Sequence, residues 1–76
     1  HNFIMEEKDN LLLFGSRVRE IKKEQKLTQA QLAEKIDLST NFIGMVERGK
    51  RNTTIDKMYK IIEALGVSCA KFYEKQ

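Results

Sequence analysis

Apolar residues recur at helical spacing along most of the chain, and the breaks between them carry helix-capping residues. In the first segment, Phe14, Val18 and Ile21 lie three or four positions apart, with charged residues between them. This spacing places one apolar stripe on an amphipathic helix over residues 11–25. The pattern breaks at residues 26–27, so the first helix is expected to end there.

Two short helices separated by a tight turn are predicted next. Thr28 stands three residues before Gln31, which is the capping-box arrangement in which each side chain satisfies a free amide at a helix start. Residues 37–39 interrupt the periodicity, and Ser39 is a natural N-cap for a third helix. That helix is expected to stop at Gly49, because glycine readily takes the left-handed conformation just past a helix C-terminus.

The last part of the chain predicts a fourth helix and a short fifth one. Thr54 can cap the fourth helix, and Gly66 ends it. Its apolar stripe consists of Ile55, Met58, Ile61, Ile62 and Leu65. Ser68 can cap a last helix over residues 69–74, which is expected to bury Cys69 and Phe72. The predicted core comprises Val18, Ile21, Leu32, Ile36, Ile43, Val46, Ile61 and Leu65.

Length and composition favour one small, all-α domain. A chain of 76 residues leaves little interior in which to build a catalytic cleft. With 41% hydrophobic residues and no proline, the chain is too apolar for disorder and has no linker. We expect a folded domain over residues 11–76, preceded by a flexible segment over residues 1–10. Residues 1–4 precede a plausible initiator, Met5, and are interpreted as a cloning remnant, so His1 receives no function.

Cysteine content, hydropathy and charge narrow the functional classes. A single cysteine excludes an intramolecular disulfide, and the chain shows no metal-ligand cluster, no nucleophile and base pair and no phosphate loop. We therefore expect no enzyme activity, no cofactor and a cytoplasmic location. The apolar run over residues 11–14 is too short to span a membrane. The net charge of +3 comes from local basic clusters, which fit either solvated helix faces or contacts to nucleic acid.

A short helix, a turn and a second short helix form the helix-turn-helix arrangement. Spacing alone does not establish DNA binding, because many small helical bundles contain such a pair. The residue strings LTQAQLAEKI, STNFIGMVERGK and IIEALGVS are more specific in combination. Over residues 15–73 the chain resembles the Cro/C1-type helix-turn-helix family of phage repressors and bacterial regulators. Within that family it is similar to the small controller proteins of restriction-modification systems. The resemblance implies a five-helix, lambda-repressor-like DNA-binding domain.

In the fold that this resemblance implies, the third helix lies in the major groove and presents its outward residues to base edges. The outward residues on this chain are Ser39, Thr40, Asn41, Gly44 and Met45. Asn41 can hydrogen-bond adenine, and Met45 can contact a thymine methyl group. Because no Arg or Lys lies in the middle of this helix, specificity is expected to depend on A·T contacts and DNA shape, or on an Arg from a flank. Gly44 is interpreted either as a point of close approach to DNA or as a neutral surface glycine.

The resemblance also implies which residues contact phosphate. These are Thr28, Gln29, Arg48, Lys50, Arg51 and Asn52. Such contacts fix affinity and register and carry no base preference. The same resemblance implies a structural ion pair between Glu47 and Lys22 of the first helix, which is favoured over a DNA-facing role because a carboxylate would repel phosphate.

A short recognition helix reads few base pairs, so we expect a homodimer on an inverted-repeat operator. The candidate interface residues are Tyr59, Ile62, Val67 and Tyr73. Alternatively, Ile62 and Val67 complete the core of the monomer. The expected partners are double-stranded DNA and a second copy of the chain, with no membrane and no small-molecule ligand. A second functional hypothesis is a protein-interaction module of the same fold, such as an antitoxin or a coactivator-like component.

Overall fold

A computed structural model describes residues 7–74, and all regular secondary structure in that range is helical, with no strand. The five helices, in chain order, are α1 (Glu7–Glu24), α2 (Gln29–Lys35), α3 (Thr40–Glu47), α4 (Ile55–Ala64) and α5 (Cys69–Phe72). The prediction of an all-α fold with five helices is therefore confirmed. None of the helices within residues 7–74 is both long enough and apolar enough to cross a membrane.

The first helix begins earlier than its apolar pattern indicated. It starts at Glu7, four positions before the predicted start at residue 11, so part of the segment expected to be flexible is helical. Residues 7–10 read EKDN and carry no apolar stripe, which is why periodicity could not detect them. Acidic residues in a first turn are favourable beside the positive end of a helix. The expectations for residues 1–6 lie outside the described part of the chain.

Side-chain caps begin the last four helices at the predicted residues. In the capping box of α2, Thr28 Oγ1 accepts from the Gln31 N–H at 3.0 Å, and Gln31 Oε1 accepts from the Thr28 N–H at 2.9 Å. The hydroxyls of Ser39, Thr54 and Ser68 each accept from the amide three residues later, at 3.0, 3.2 and 3.1 Å. These bonds satisfy amides that the helix itself leaves without a partner.

Left-handed residues end several helices, and only some of them were predictable. Gly49 and Gly66 have φ values of 68° and 73°, as their places after α3 and α4 predicted. Lys26 and Asp37 also have positive φ, at 58° each, although neither is a glycine. The left-handed conformation costs such residues about 1–2 kcal/mol, which the surrounding helix packing offsets.

One apolar core joins all five helices. Its buried members are Phe14, Val18, Ile21, Leu32, Ala33, Phe42, Ile43, Val46, Ile61, Ile62, Leu65 and Phe72. Of the predicted core, only Ile36 is partly exposed, since it is the C-cap of α2 and lies at the rim. The buried faces of α3 and α4 therefore follow the apolar pattern of the sequence.

Two apolar positions were predicted incorrectly. Ile55 was assigned to the buried stripe of α4, but it is 68% exposed because it lies in the first turn, at the edge of that stripe. Cys69 was expected in the interior and is exposed. As the first residue of the four-residue α5, it faces away from the core, and Phe72 supplies the buried contact of that helix. Met58, also expected inside, is partly buried.

Gly15 lets α1 and α3 approach until their backbones touch. A Cβ atom at this position would lie 2.1 Å from the carbonyl oxygen of Val46 and 2.8 Å from that of Glu47. Both atoms belong to the backbone of α3, so no side-chain rearrangement relieves the contact. Gly15 therefore helps to fix the position of α3 on the rest of the fold.

Arg17 fastens α5 to α1. Its guanidinium donates to the backbone carbonyls of Phe72 and Lys71, the latter at 2.8 Å, and pairs with Glu20 at 2.6 Å. The rings of Phe14 and Phe72 pack beside it with their centroids 5.2 Å apart. Arg17 therefore stabilises the packing of α5 against α1.

Candidate nucleic-acid interface

The two helices α2 and α3 form a helix-turn-helix, and the residues that α3 buries in the core determine which of its residues face outward. The turn between them contains Asp37 with positive φ and is closed by a hydrogen bond from the Leu38 N–H to the Ala33 carbonyl, at 3.0 Å. On α3, Ile43 and Val46 are buried in the core. Successive side chains of a helix are separated by a fixed angle around its axis. Because Ile43 and Val46 point into the core, Asn41 and Met45 point away from it.

Four of the five candidate base-reading residues lie on this outward face. Ser39, Thr40 and Asn41 are exposed, and Met45 is half-exposed. Asn41 Nδ2 lies 3.7 Å from Met45 Sδ, one helical turn away. The two side chains with the clearest potential for base contacts therefore touch each other on the surface of α3.

The sequence interpretation placed Gly44 on the outward face of α3, but the structure does not. It is buried beneath the side chains of Arg48 and Gln29. A Cβ atom on Gly44 would lie 3.2 Å from Arg48 Nη1 and 3.5 Å from Gln29 Oε1. The glycine thus leaves room for these two side chains, and it brings an arginine over the middle of a helix that contains no basic residue of its own.

A polar network ties α3 to α1 and α2. Lys22 Nζ and Glu47 Oε2 lie 3.4 Å apart, and their side chains are only 10% and 5% exposed. Gln29 Nε2 donates to the other carboxylate oxygen, Glu47 Oε1, at 3.2 Å. The structure therefore brings Lys22 and Glu47 together as expected of an ion pair. Breaking a pair this buried would leave an uncompensated charge inside the protein.

The two candidate phosphate residues at the start of α2 differ in availability. Thr28 is exposed, and its hydroxyl accepts from the Gln31 N–H, which leaves its own O–H free to donate. A phosphate contact would require the side chain of Gln29 to extend outward. Instead this side chain is half-buried and donates to Glu47. What Gln29 offers at the surface is its backbone N–H at the positive end of α2.

Cationic residues border α3 on the side where it leads into α4. Arg48, Lys50, Arg51 and Asn52 are all exposed there. The Arg51 guanidinium carbon lies 5.4 Å from the centroid of the Phe42 ring, and Lys57 Nζ lies 5.3 Å from the same centroid. The sequence did not indicate that Lys57 belongs to this basic region, because on α4 it is only one polar residue between apolar ones.

The basic cluster of α1 does not form a single surface. Arg17 binds α5, and Lys22 is buried beside Glu47. Arg19, Lys23 and Lys26 remain exposed. The positive residues that border the outward face of α3 therefore come from the region between α3 and α4, and not from α1.

The candidate dimer residues divide into surface and core. Tyr59 and Tyr73 are 57% and 58% exposed. Ile62 is buried in the monomer core and is therefore unavailable, so its assignment to the interface is wrong; Val67 packs half-buried against the same core. Ile55, exposed one turn from Tyr59, is the apolar surface residue that the sequence interpretation placed inside.

Tyr73, the C-cap of α5, lines a mostly apolar groove together with residues of α1 and α4. Partial burial raises the pKa of Tyr73 above its ordinary value, and Cys69 and Tyr59 raise it further. An open groove of about 730 Å³ runs beside Tyr73 and is lined also by Leu13, Met58 and Phe72. Within residues 9–74, no cluster of His, Cys, Asp or Glu side chains is arranged to hold a metal ion.

The sequence of this chain is similar to those of a control protein and of a phage repressor. The control protein C.BamHI of Bacillus amyloliquefaciens is 44% identical over 57 residues, covering 74% of this chain and 70% of the relative. The immunity repressor of Bacillus phage phi105 is 42% identical over 53 residues, covering 70% of this chain. The chain spans only 37% of the length of that repressor.

Solved structures agree with the sequence relatives. One chain from the crystal structure of the restriction-modification controller protein C.Esp1396I tetramer in complex with its natural 35 base-pair operator matches with a TM-score of 0.79 and 34% identity. The match covers 84% of each chain. The family model described as helix-turn-helix matches residues 18–72, which include all of α2 to α5. The chain therefore belongs to the Cro/C1-type helix-turn-helix family.

Proposed function

We propose that this chain is a sequence-specific, double-stranded DNA-binding transcriptional regulator that acts in the cytoplasm as a homodimer on an inverted-repeat operator. The observation that carries the proposal is the outward face of α3, where Thr40, Asn41 and Met45 stand on a helix held rigidly by its buried side. Membership of a family of regulators supports the same function over an enzymatic one.

Each part of the site has a distinct task in this proposal. The amide of Asn41 can donate to N7 of adenine and accept from its N6 amino group in the major groove, and Met45 offers an apolar contact to the thymine methyl group. Arg48, Lys50 and Arg51 bind the backbone and set the register of α3 in the groove. The Lys22–Glu47 pair and Gln29 hold α3 at a fixed angle to α1 and α2.

Salt-dependent binding of duplex DNA tests this function. Three cations per protomer, six in a dimer, predict that the logarithm of the binding constant falls with the logarithm of salt concentration at a slope of roughly −5. Fluorescence anisotropy with a labelled duplex at several salt concentrations measures that slope. A chain that binds no duplex, or binds without salt dependence, would favour the protein-interaction module instead.

Lys50→Ala is expected to weaken binding of all duplexes alike, by about tenfold at 0.1 M salt, and to reduce the salt slope of the dimer by about two, one for each protomer. The reason is that Lys50 is exposed beyond α3 and contacts the DNA backbone in this proposal, and the DNA backbone is the same in every sequence. Lys23→Ala, an exposed lysine on α1, is the matched control and should leave the slope unchanged. A variant that changed base preference would move Lys50 to the base-reading set.

The homodimer is proposed to form through Tyr59 and Tyr73, with Ile55 in place of the buried Ile62. Tyrosine suits a surface that is dry in the complex and wet alone, and the apolar groove beside Tyr73 extends the same surface. A two-fold axis through this surface would repeat α3 on the second protomer. Half-sites about 34 Å apart, one turn of DNA, would then be read by two copies of α3.

Tyr73→Glu is expected to shift the chain from dimer to monomer at micromolar concentration, because a carboxylate in an apolar interface loses its hydration. Sedimentation measures the change directly. Arg19→Glu is the control, since Arg19 lies about half a helical turn from Arg17, on the side of α1 away from α5. A dimer unaffected by Tyr73→Glu would place the interface elsewhere.

A further inference from the structure

Two cations share the ring of Phe42 without an acidic partner. Arg51 Cζ and Lys57 Nζ lie 5.4 and 5.3 Å from the ring centroid. The ion pairs within the described residues involve other basic residues, namely Arg17, Lys22 and Lys71. Arg51 and Lys57 therefore place two unneutralised positive charges around one aromatic side chain.

The position of Lys57 is electrostatically unfavourable in the protein alone. It lies in the first turn of α4, where its N–H donates to the Thr54 hydroxyl at 3.2 Å. The start of a helix carries a partial positive charge, so a cation there is repelled. Arg51 adds a like charge from the preceding loop. Asp56 lies in the same turn but forms no ion pair with Lys57. An anion bound beside the ring of Phe42 would offset both positive charges.

The ring orders the two side chains before any ligand arrives. Phe42 is buried, and its position is fixed by the core, so a cation that rests against it has fewer conformations than a free surface lysine or arginine. Ordering a long side chain in advance reduces the entropy lost on binding. The arrangement is therefore suited to bind an anion, because the lysine and the arginine are already ordered against the ring.

The place of this pair on the fold identifies the anion. Phe42 lies on α3, directly after the exposed Asn41 that is proposed to read a base. An anion beside the edge of a helix in the major groove is a backbone phosphate. We propose that Arg51 and Lys57 together bind one phosphate of the DNA backbone, with Phe42 as the support that holds them. Lys57 is thereby added to the phosphate contacts, and this inference rests on the proposed DNA-binding function.

Salt-slope measurements on matched lysine variants test the site. Lys57→Ala is expected to weaken binding of a mixed-sequence duplex by about tenfold at 0.1 M salt and to reduce the slope of the dimer by up to about two, one for each protomer. Lys57→Gln, which keeps most of the side-chain length, should show the same loss. Lys60→Ala removes an exposed lysine from the same helix and should bind like the wild type.

A double variant tests whether the phosphate is shared. If Arg51 and Lys57 hold one phosphate, the loss in Arg51→Ala/Lys57→Ala is expected to be clearly smaller than the product of the two single losses. Losses that multiply would assign the residues to two separate phosphates and overturn the shared site. Lys57 variants that bind like Lys60→Ala would overturn it also. A wild-type chain that binds no duplex would instead refute the proposed function itself.

Discussion

Gly15→Ala is expected to lower the free energy of unfolding by at least about 3 kcal/mol, the upper end of the cost of overpacking. The added Cβ would meet the carbonyl oxygen of Val46 at 2.1 Å, so α1 and α3 must separate. Helix propensity acts in the opposite direction, because alanine favours a helix by about 1 kcal/mol over glycine. In a domain of this size the midpoint of thermal unfolding should fall by at least about 12 °C.

Gly66→Ala is the control for this change, because the strain at Gly66 comes from its backbone conformation and not from a close contact. Nothing lies within 4 Å of a Cβ atom at Gly66, but its φ of 73° disfavours any side chain. Its expected cost is about 1 kcal/mol, from backbone conformation alone. Circular dichroism during heating compares the two variants. If Gly15→Ala melts no lower than Gly66→Ala, then α1 and α3 do not approach as closely as described.

Leu32→Ala is expected to cost about 2–5 kcal/mol, because it removes a fully buried side chain and leaves a cavity between α2 and its neighbours. Such a loss is a large part of the stability of a small domain. Leu65→Ala, on α4, should behave alike, since Leu65 is buried in the same core. Urea unfolding at 25 °C measures both changes.

Leu13→Ala provides the comparison for these core variants. Leu13 lies on α1 and is 55% exposed, so the same chemical change should cost less than about 1 kcal/mol. A normal unfolding transition for Leu32→Ala, indistinguishable from that of Leu13→Ala, would contradict the assignment of the core.

The features predicted correctly from the sequence are those that depend on neighbours along the chain. Caps at Thr28, Ser39, Thr54 and Ser68 were predictable because a capping side chain bonds an amide three residues later. The buried stripes of α3 and α4 were predictable for a similar reason, since helical spacing places their apolar residues on one face.

The features that escaped prediction depend on contacts between distant segments. Nothing in the residues around Gly15 indicates that α3 crosses there, and nothing around Lys57 indicates the ring of Phe42. The exposure of Ile55 was also missed, because a wide apolar stripe does not show which edge another helix covers. For the same reason the sequence left Ile62 open between the core and a dimer interface, and it is buried. Gly44 was placed on the surface since its cover comes from Gln29, on another helix.

The most direct test of the central claim, that α3 reads DNA sequence, is selection of bound duplexes from a random pool with the wild type and Asn41→Ala. We expect the wild type to enrich an inverted repeat whose half-sites are centred about 10 base pairs apart, with an A·T pair at the position that Asn41 contacts. Asn41→Ala should lose the preference at that position in both half-sites and keep it elsewhere. Enrichment of no sequence by the wild type, or an identical preference in Asn41→Ala, would contradict the account.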